Sequence, residues 1–263
     1  MKIGIIGATG RMGLSIMEEI AKDDGLELVS GFARYEDKNS GVDLGELAFN
    51  KKNGILTSAN LEEVIAAADS IIDFSSIELT LQAAEIASKL GKTYVCGTTG
   101  FNEEQFSKFQ SFANNSAFLW SSNMSIGINL LTALIKQACK TLDSDFDTEI
   151  IEMHHRYKKD APSGTAISLG KAIAEAKGLD FDKVAQLSRE GIIEPRAKDE
   201  IGFATLRGGS VIGDHTVIFA EDNERIELSH KAVSRNIFAK GALRAAKWSN
   251  SKEPGLYSIQ DMF

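Results

Sequence analysis

The first thirteen residues constrain the fold more than any other stretch. Ile3-Gly4-Ile5-Ile6 is a short apolar run, followed at once by Gly7-Ala8-Thr9-Gly10-Arg11-Met12-Gly13 and then by a helical pattern with Gly13, Ile16, Met17 and Ile20 on one face. A buried strand, a glycine turn and an amphipathic helix in that order form the opening of a dinucleotide-binding unit. The glycines divide the work: Gly7 for the tight turn, Gly10 for backbone approach to a pyrophosphate, Gly13 for close packing of helix on sheet. The spacing is Gly-x-x-Gly-x-x-Gly, so the position between strand and helix carries the weight. Gly7, Ala8, Thr9, Gly10, Arg11 and Met12 are therefore cofactor-binding candidates.

A second strand, Leu26 to Phe32, ends about 20 residues beyond the glycine turn, where an acidic residue usually holds the adenosine ribose. Ala33 and Arg34 occupy that place. Loss of the carboxylate weakens the case for NADH, and the Arg34 guanidinium suits a 2′-phosphate, which favours NADPH. The alternative leaves Arg34 in solvent, with Glu36 or Asp37 reaching the ribose. Further strands are expected at Ser70–Phe74, Thr93–Cys96 and Ala117–Trp120, and helices through Leu61–Ile65 and Leu79–Leu90. Alternation of this kind implies a parallel sheet with ligands beyond the strands' carboxyl ends. The loops there become candidates: Phe74-Ser75-Ser76, Gly97-Thr98-Thr99-Gly100 for a nicotinamide or its ribose, and Ser121-Ser122-Asn123-Met124 where the chain leaves the domain. Residues 1–125 are read as the dinucleotide-binding domain, with 235–263 returning to it.

Residues 126–234 follow another pattern, and here lies the densest chemistry. Asp147 to Met153 has strand character, and Glu152-Met153-His154-His155-Arg156-Tyr157-Lys158-Lys159-Asp160-Ala161-Pro162-Ser163-Gly164-Thr165-Ala166 follows. In extended chain His154 and His155 would point to opposite faces. Ser163 is a plausible helix N-cap, with Ala166, Leu169, Gly170 and Ile173 as the packed face. The amides of Gly164 and Thr165 would then form a ready anion site, with Lys158 on the loop between them and the imidazoles. Strands at 201–206, 215–220 and 225–230 suggest a hairpin in an open, mixed or mostly antiparallel sheet. Its uncovered face invites another subunit. The fold class is thus α/β: an N-terminal Rossmann-type parallel sheet domain plus a smaller α+β domain for substrate binding and oligomerisation.

The net charge of −8 argues against nucleic acid or an anionic membrane as partner. No apolar run approaches the roughly 20 residues of a membrane-spanning helix. Cys96 and Cys139 are too few and too far apart for a disulfide framework or a metal knuckle, so no metal site is expected, and the cytoplasm is the expected location.

Taken together, Gly7-x-x-Gly10-Arg11-Met12-Gly13, Gly97-Thr98-Thr99-Gly100 and the run from Glu152 to Ala166 resemble the dihydrodipicolinate reductases of bacteria, also called 4-hydroxy-tetrahydrodipicolinate reductases. The likeness extends to His230-Lys231-Ala232 and Gly255-Leu256-Tyr257. The resemblance implies a homotetrameric enzyme of lysine and diaminopimelate synthesis that reduces a cyclic imine dicarboxylate with NADH or NADPH. It implies His154 as proton donor with Lys158 as its partner, and His155, Gly164 and Thr165 as substrate contacts. It assigns Gly7 to Met12, Arg34, Gly97 to Thr99 and Ser121 to Met124 to the cofactor. Two positions depart from the pattern: Ala33 stands where some members have glutamate, and Tyr157 where some have another histidine.

Overall fold

The computed structural model describes residues 1–142 and 144–263. The chain forms two compact units, Met1–Ile126 with Asn236–Phe263, and Gly127–Arg235.

The first unit runs β1 (Lys2–Ile6), α1 (Arg11–Ile20), β2 (Glu27–Phe32), α2 (Leu44–Phe49), α3 (Leu61–Ala66), β3 (Ser70–Asp73), α4 (Ile77–Lys89), β4 (Thr93–Cys96), α5 (Glu103–Phe112) and β5 (Ala117–Trp120). The second holds α6 (Ile126–Thr141, from Gly127 onward), β6 (Asp147–His154), α7 (Gly164–Lys177), α8 (Phe181–Val184), β7 (Ala185–Gln186), β8 (Ile201–Arg207), β9 (Gly213–Ala220) and β10 (Arg225–Ala232). The chain then re-enters the first unit as α9 (Asn236–Ser249), β11 (Gly255–Tyr257) and a closing 3₁₀ turn, Ile259–Met262.

Strands β11-β5-β4-β3-β1-β2 form one parallel sheet in that order. Successive strand residues point to opposite faces, so a sheet covered on both sides needs apolar residues at every position. Ile72, Val95 and Leu119 therefore enter one core with α1 and α9. Their neighbours Ile71, Tyr94 and Phe118 enter the other, with α3, α4 and α5. Gly7 has φ +82°, a left-handed turn that releases the chain from β1 into α1. Gly13 lets α1 lie on that turn; a Cβ there would sit 2.7 Å from Ala8 Cα.

In the second unit the order is β10-β9-β6-β8-β7. Burial alternates along β6 and β9, and Ile150, Val217 and Phe219 pack with Phe203 against α6 and α7. The sheet is less antiparallel than the strand pattern suggests. β9 runs antiparallel to β6 and β10, whereas β8 runs parallel to β6 and β7. The route from β6 to β8 passes through α7, and a crossover of that length is what parallel pairing requires. Among the described residues no helix is long and apolar enough to cross a membrane.

Candidate active site

The chemistry of the second unit gathers around Glu152. Because β6 alternates, Glu152 and His154 share its inner face, and both are buried. Glu152 Oε2 lies 2.6 Å from His154 Nδ1. Arg207, at the end of the neighbouring β8, donates to both oxygens of Glu152 at 2.8 and 2.9 Å, and the Ser163 amide donates to Oε1 at 3.0 Å. Burial pushes this carboxyl up, but hydrogen bonds from Arg207, His154 and Ser163 outweigh it and hold the group below the usual carboxylate range. An ionised carboxylate only accepts, so His154 Nδ1 carries the hydrogen and Nε2 is the ring nitrogen left for chemistry. Gly213 keeps room beside that nitrogen; a Cβ there would stand 2.9 Å from Nε2.

Ser163 links this pair to α7. Its hydroxyl caps the helix by accepting from the Ala166 amide at 3.1 Å and lies 3.1 Å from His215 Nε2. Burial lowers His215 to about 4, which keeps it neutral near pH 7, and its ring meets that of His154 edge to face at 5.1 Å. Gly164, the first residue of α7, is exposed with open space around its Cα. A helix start with that clearance can receive a carboxylate on its amides. Thr165 is half-buried beside it. Lys158 ion-pairs with Asp160 at 2.8 Å, and His155 is half-buried beyond the end of β6. Within this unit, then, His154, Ser163 and the start of α7 are tied into one hydrogen-bonded group, while Lys158 and His155 lie on the adjoining loop.

The cofactor candidates all fall in the first unit. Gly10 is the N-cap of α1, and no side chain caps that helix. Uncapped amides at the carboxyl end of β1 fit a pyrophosphate, so these residues suit a dinucleotide. A cavity of about 200 Å³ adjoins the turn, with Gly7, Thr9, Ala33, Arg34, Asp37 and Ser76 in its wall. Arg34 Nη2 reaches Ser76 Oγ at 3.4 Å, and Asp37 accepts from the Thr9 hydroxyl at 2.8 Å. A guanidinium and a carboxylate thus share one wall.

Burial sorts the remaining candidates. Ala8 and Met124 are buried, with their side chains in the core beneath these loops. Gly10, Arg11, Thr99 and Ser122 are exposed, and Thr9, Met12, Gly97 and Asn123 are half-buried. Thr98 is buried, and its carbonyl accepts from Trp120 Nε1 at 2.9 Å. The Ser121 hydroxyl donates to the Asn123 carbonyl at 2.8 Å.

Comparison with known proteins decides the family. Residues 1–124 match the model described as dihydrodipicolinate reductase, N-terminus, and residues 127–263 match dihydrodipicolinate reductase, C-terminus. The chain belongs to the dihydrodipicolinate reductase family. Among curated members, the 4-hydroxy-tetrahydrodipicolinate reductase of Parvibaculum lavamentivorans is 46% identical over 263 residues, 100% of this chain and 97% of its own. That of Rhodopseudomonas palustris is 46% identical over 262 residues, 100% and 96% of the two chains. The dipicolinate-bound dihydrodipicolinate reductase of Paenisporosarcina shares the fold, with a TM-score of 0.81 at 24% identity over 100% of this chain and 99% of that one. The two family models divide between residues 124 and 127, close to the division between the two units.

The sequence alone did not single out Arg207 or His215, nor the part played by Glu152. Glu152 was within reach, since a carboxylate two residues before a histidine on one strand shares its face. Arg207 and His215 come from strands more than fifty residues away, and only register brings them in.

Proposed function

We propose that this chain reduces 4-hydroxy-tetrahydrodipicolinate, by way of dihydrodipicolinate, to tetrahydrodipicolinate in lysine and diaminopimelate synthesis, with His154 as the proton donor. The family match over the whole chain supports the reaction. The observation that carries the residue assignment is the Glu152–His154 pair, joined through Ser163 to an open helix start.

NADPH or NADH supplies the hydride when bound, and the glycine turn, Gly97–Thr99 and Ser121–Met124 would hold it. Hydride arriving at a conjugated carbon builds negative charge on the ring, which a positioned acid must quench. With its Nδ1 hydrogen committed to Glu152, His154 delivers the proton from Nε2. The amides of Gly164 and Thr165 take one substrate carboxylate, and Lys158 and His155 contact the substrate beside them. Dipicolinate, the ligand of the Paenisporosarcina enzyme, has the planar dicarboxylate shape this arrangement suits. Arg34 favours NADPH, through a 2′-phosphate.

We assign dinucleotide binding to residues 1–125 with 235–263, and substrate binding and oligomerisation to 126–234. Ile151, Met153, Leu206 and Ile218 share the sheet face opposite α6 and α7. That apolar strip, flanked on the same face by Glu149, Thr216 and Glu227, is suited to subunit contact, in keeping with a homotetramer, and the cytoplasm is the proposed location.

The test is the loss of reduced-nicotinamide absorbance when the protein meets freshly made condensation product of pyruvate and aspartate semialdehyde. Rapid loss with the native chain is expected, and His154→Ala should lower kcat on the order of 10²-fold with substrate affinity largely kept. No loss with either cofactor, despite demonstrable dinucleotide binding, would point instead to a linear-imine dehydrogenase.

A further inference from the structure

A carboxyl group sits where the parallel sheet is most enclosed. Asp73 ends β3, between β1 and β4, and is fully buried. Its Oδ2 accepts from the Tyr94 hydroxyl at 2.6 Å and lies 2.6 Å from Thr80 Oγ1. Thr80 is also buried, and its hydroxyl lies 2.9 Å from that of Thr98 and 3.5 Å from that of Ser75. Thr98 Oγ1 in turn accepts from the Ser75 amide at 3.2 Å.

A hydroxyl has one hydrogen to give, and this fixes the order. The Thr80 hydrogen goes to the closer and stronger acceptor, the Asp73 carboxyl. Thr98 must then donate to Thr80, so the chain runs from the Ser75 amide through Thr98 and Thr80 to Asp73. Both the hydrogen and an acceptor site of the Thr98 hydroxyl are engaged inside the protein. The Asp73 carbonyl adds a second tie, accepting from the Gly97 amide at 2.8 Å. Thr98 is held at its hydroxyl and its carbonyl, and the exposed Thr99 follows it.

We propose that Asp73 is a positioning residue for the redox half of the reaction: through Thr80 it turns the Thr98 hydroxyl inward, so that the Gly97–Thr99 turn presents backbone and Thr99 to the nicotinamide. This rests on the assignment of that turn to the cofactor. A carboxyl in this core is costly, since burial pushes its pKa up. An apolar side chain would serve packing as well or better. The group stands at the carboxyl end of a central strand, where α/β sheets bind their ligands, so its cost coincides with a place where geometry matters.

Thr80→Val removes the linking hydroxyl at nearly constant volume, and Thr80→Ser restores it. With the valine variant, kcat should fall on the order of 10-fold or more, because hydride transfer is sensitive to small misplacements. The deuterium isotope effect from 4-deuterated NADPH should rise, while the Kd for NADPH stays within about 3-fold, its adenosine half being held by the glycine turn. The serine variant should recover kcat. Equal kcat in the two variants, or loss in both alongside a lowered Tm, would overturn the positioning role. Methyl-labelled threonine spectra check the underlying assignment separately. Thr98 and Thr99 signals should move with NADP⁺ and not with adenosine 2′,5′-bisphosphate. If neither moves with NADP⁺, the nicotinamide is not at this turn, and both the assignment and the proposal fall.

Discussion

Glu152 is the residue on which the proposed catalytic group depends, because one buried carboxylate serves three partners at once. It orients His154, neutralises Arg207 and anchors the Ser163 amide that leads into α7. Glu152→Gln keeps the shape but sets an amide NH₂ against donors, leaving Arg207 partly buried without its counter-charge. Breaking a buried pair in this way costs about 3–5 kcal/mol, and kcat should fall on the order of 10²-fold as the imidazole loses its fixed tautomer. Urea unfolding and steady-state rates would check both; unchanged kcat would show that His154 needs no orienting carboxylate. At the adenosine end, Arg34→Ala should weaken NADPH more than NADH, measured as the ratio of kcat/KM, and equal loss for both would remove the 2′-phosphate role. Legibility at this scale followed locality. Ser163 as a cap and His154 at a strand end were readable, because each depends on neighbours in the chain. His215 was not, since its contact with Ser163 spans 52 positions.

Elements that repeat a buried pattern were legible almost to the residue: β4 and β5 are the runs Thr93–Cys96 and Ala117–Trp120 that the apolar pattern marks out. Helix α5 was passed over although its signal is present. Asn102 and Gln105 form a reciprocal capping box, and Phe106 and Phe109 follow at helical spacing. The parallel pairing of β8 with β6 was beyond reach, since strand propensity does not encode direction. Helix α9 shows how tightly an element can be fitted without any sequence sign beyond a glycine. A Cβ on Gly241 would overlap the backbone carbonyl oxygen of Met124, which cannot swing aside as a side chain would. Alanine gains about 1 kcal/mol of helix propensity over glycine, but overpacking against backbone costs about 1–3 kcal/mol. Gly241→Ala should therefore be net destabilising, read as a lower urea midpoint. A raised midpoint would mean that α9 has slack against the 121–125 segment.

Over the whole molecule the ionisable groups are unevenly dealt. All four histidines, His154, His155, His215 and His230, lie in the unit Gly127–Arg235, and both tryptophans, Trp120 and Trp248, lie in the other. Burial lowers His215 from 6.5 to about 4 and lowers His230 as well. An unfolded histidine takes its proton near pH 6.5, so between there and about pH 4 the unfolded state binds more protons, and stability declines as pH falls. For His215 alone the loss approaches about 3 kcal/mol, at roughly 1.4 kcal/mol per pH unit. Glu152, held low, adds its own loss further down, as pH falls through its folded value. Asp73 in the first unit has the opposite sign. Its carboxyl is raised by burial, so its contribution is present in acid and lost as pH rises through the folded value. The first unit's low-lying carboxylates, such as Asp43, weigh only below about pH 4. Mild acid should therefore melt the histidine-bearing unit first. Far-UV circular dichroism should lose part of its signal between about pH 6.5 and 4 while tryptophan emission stays native. His215→Asn, which does not titrate there, should move the early loss to lower pH. If both signals instead fall together at one pH, in native and variant chains alike, burial of His215 does not govern acid stability.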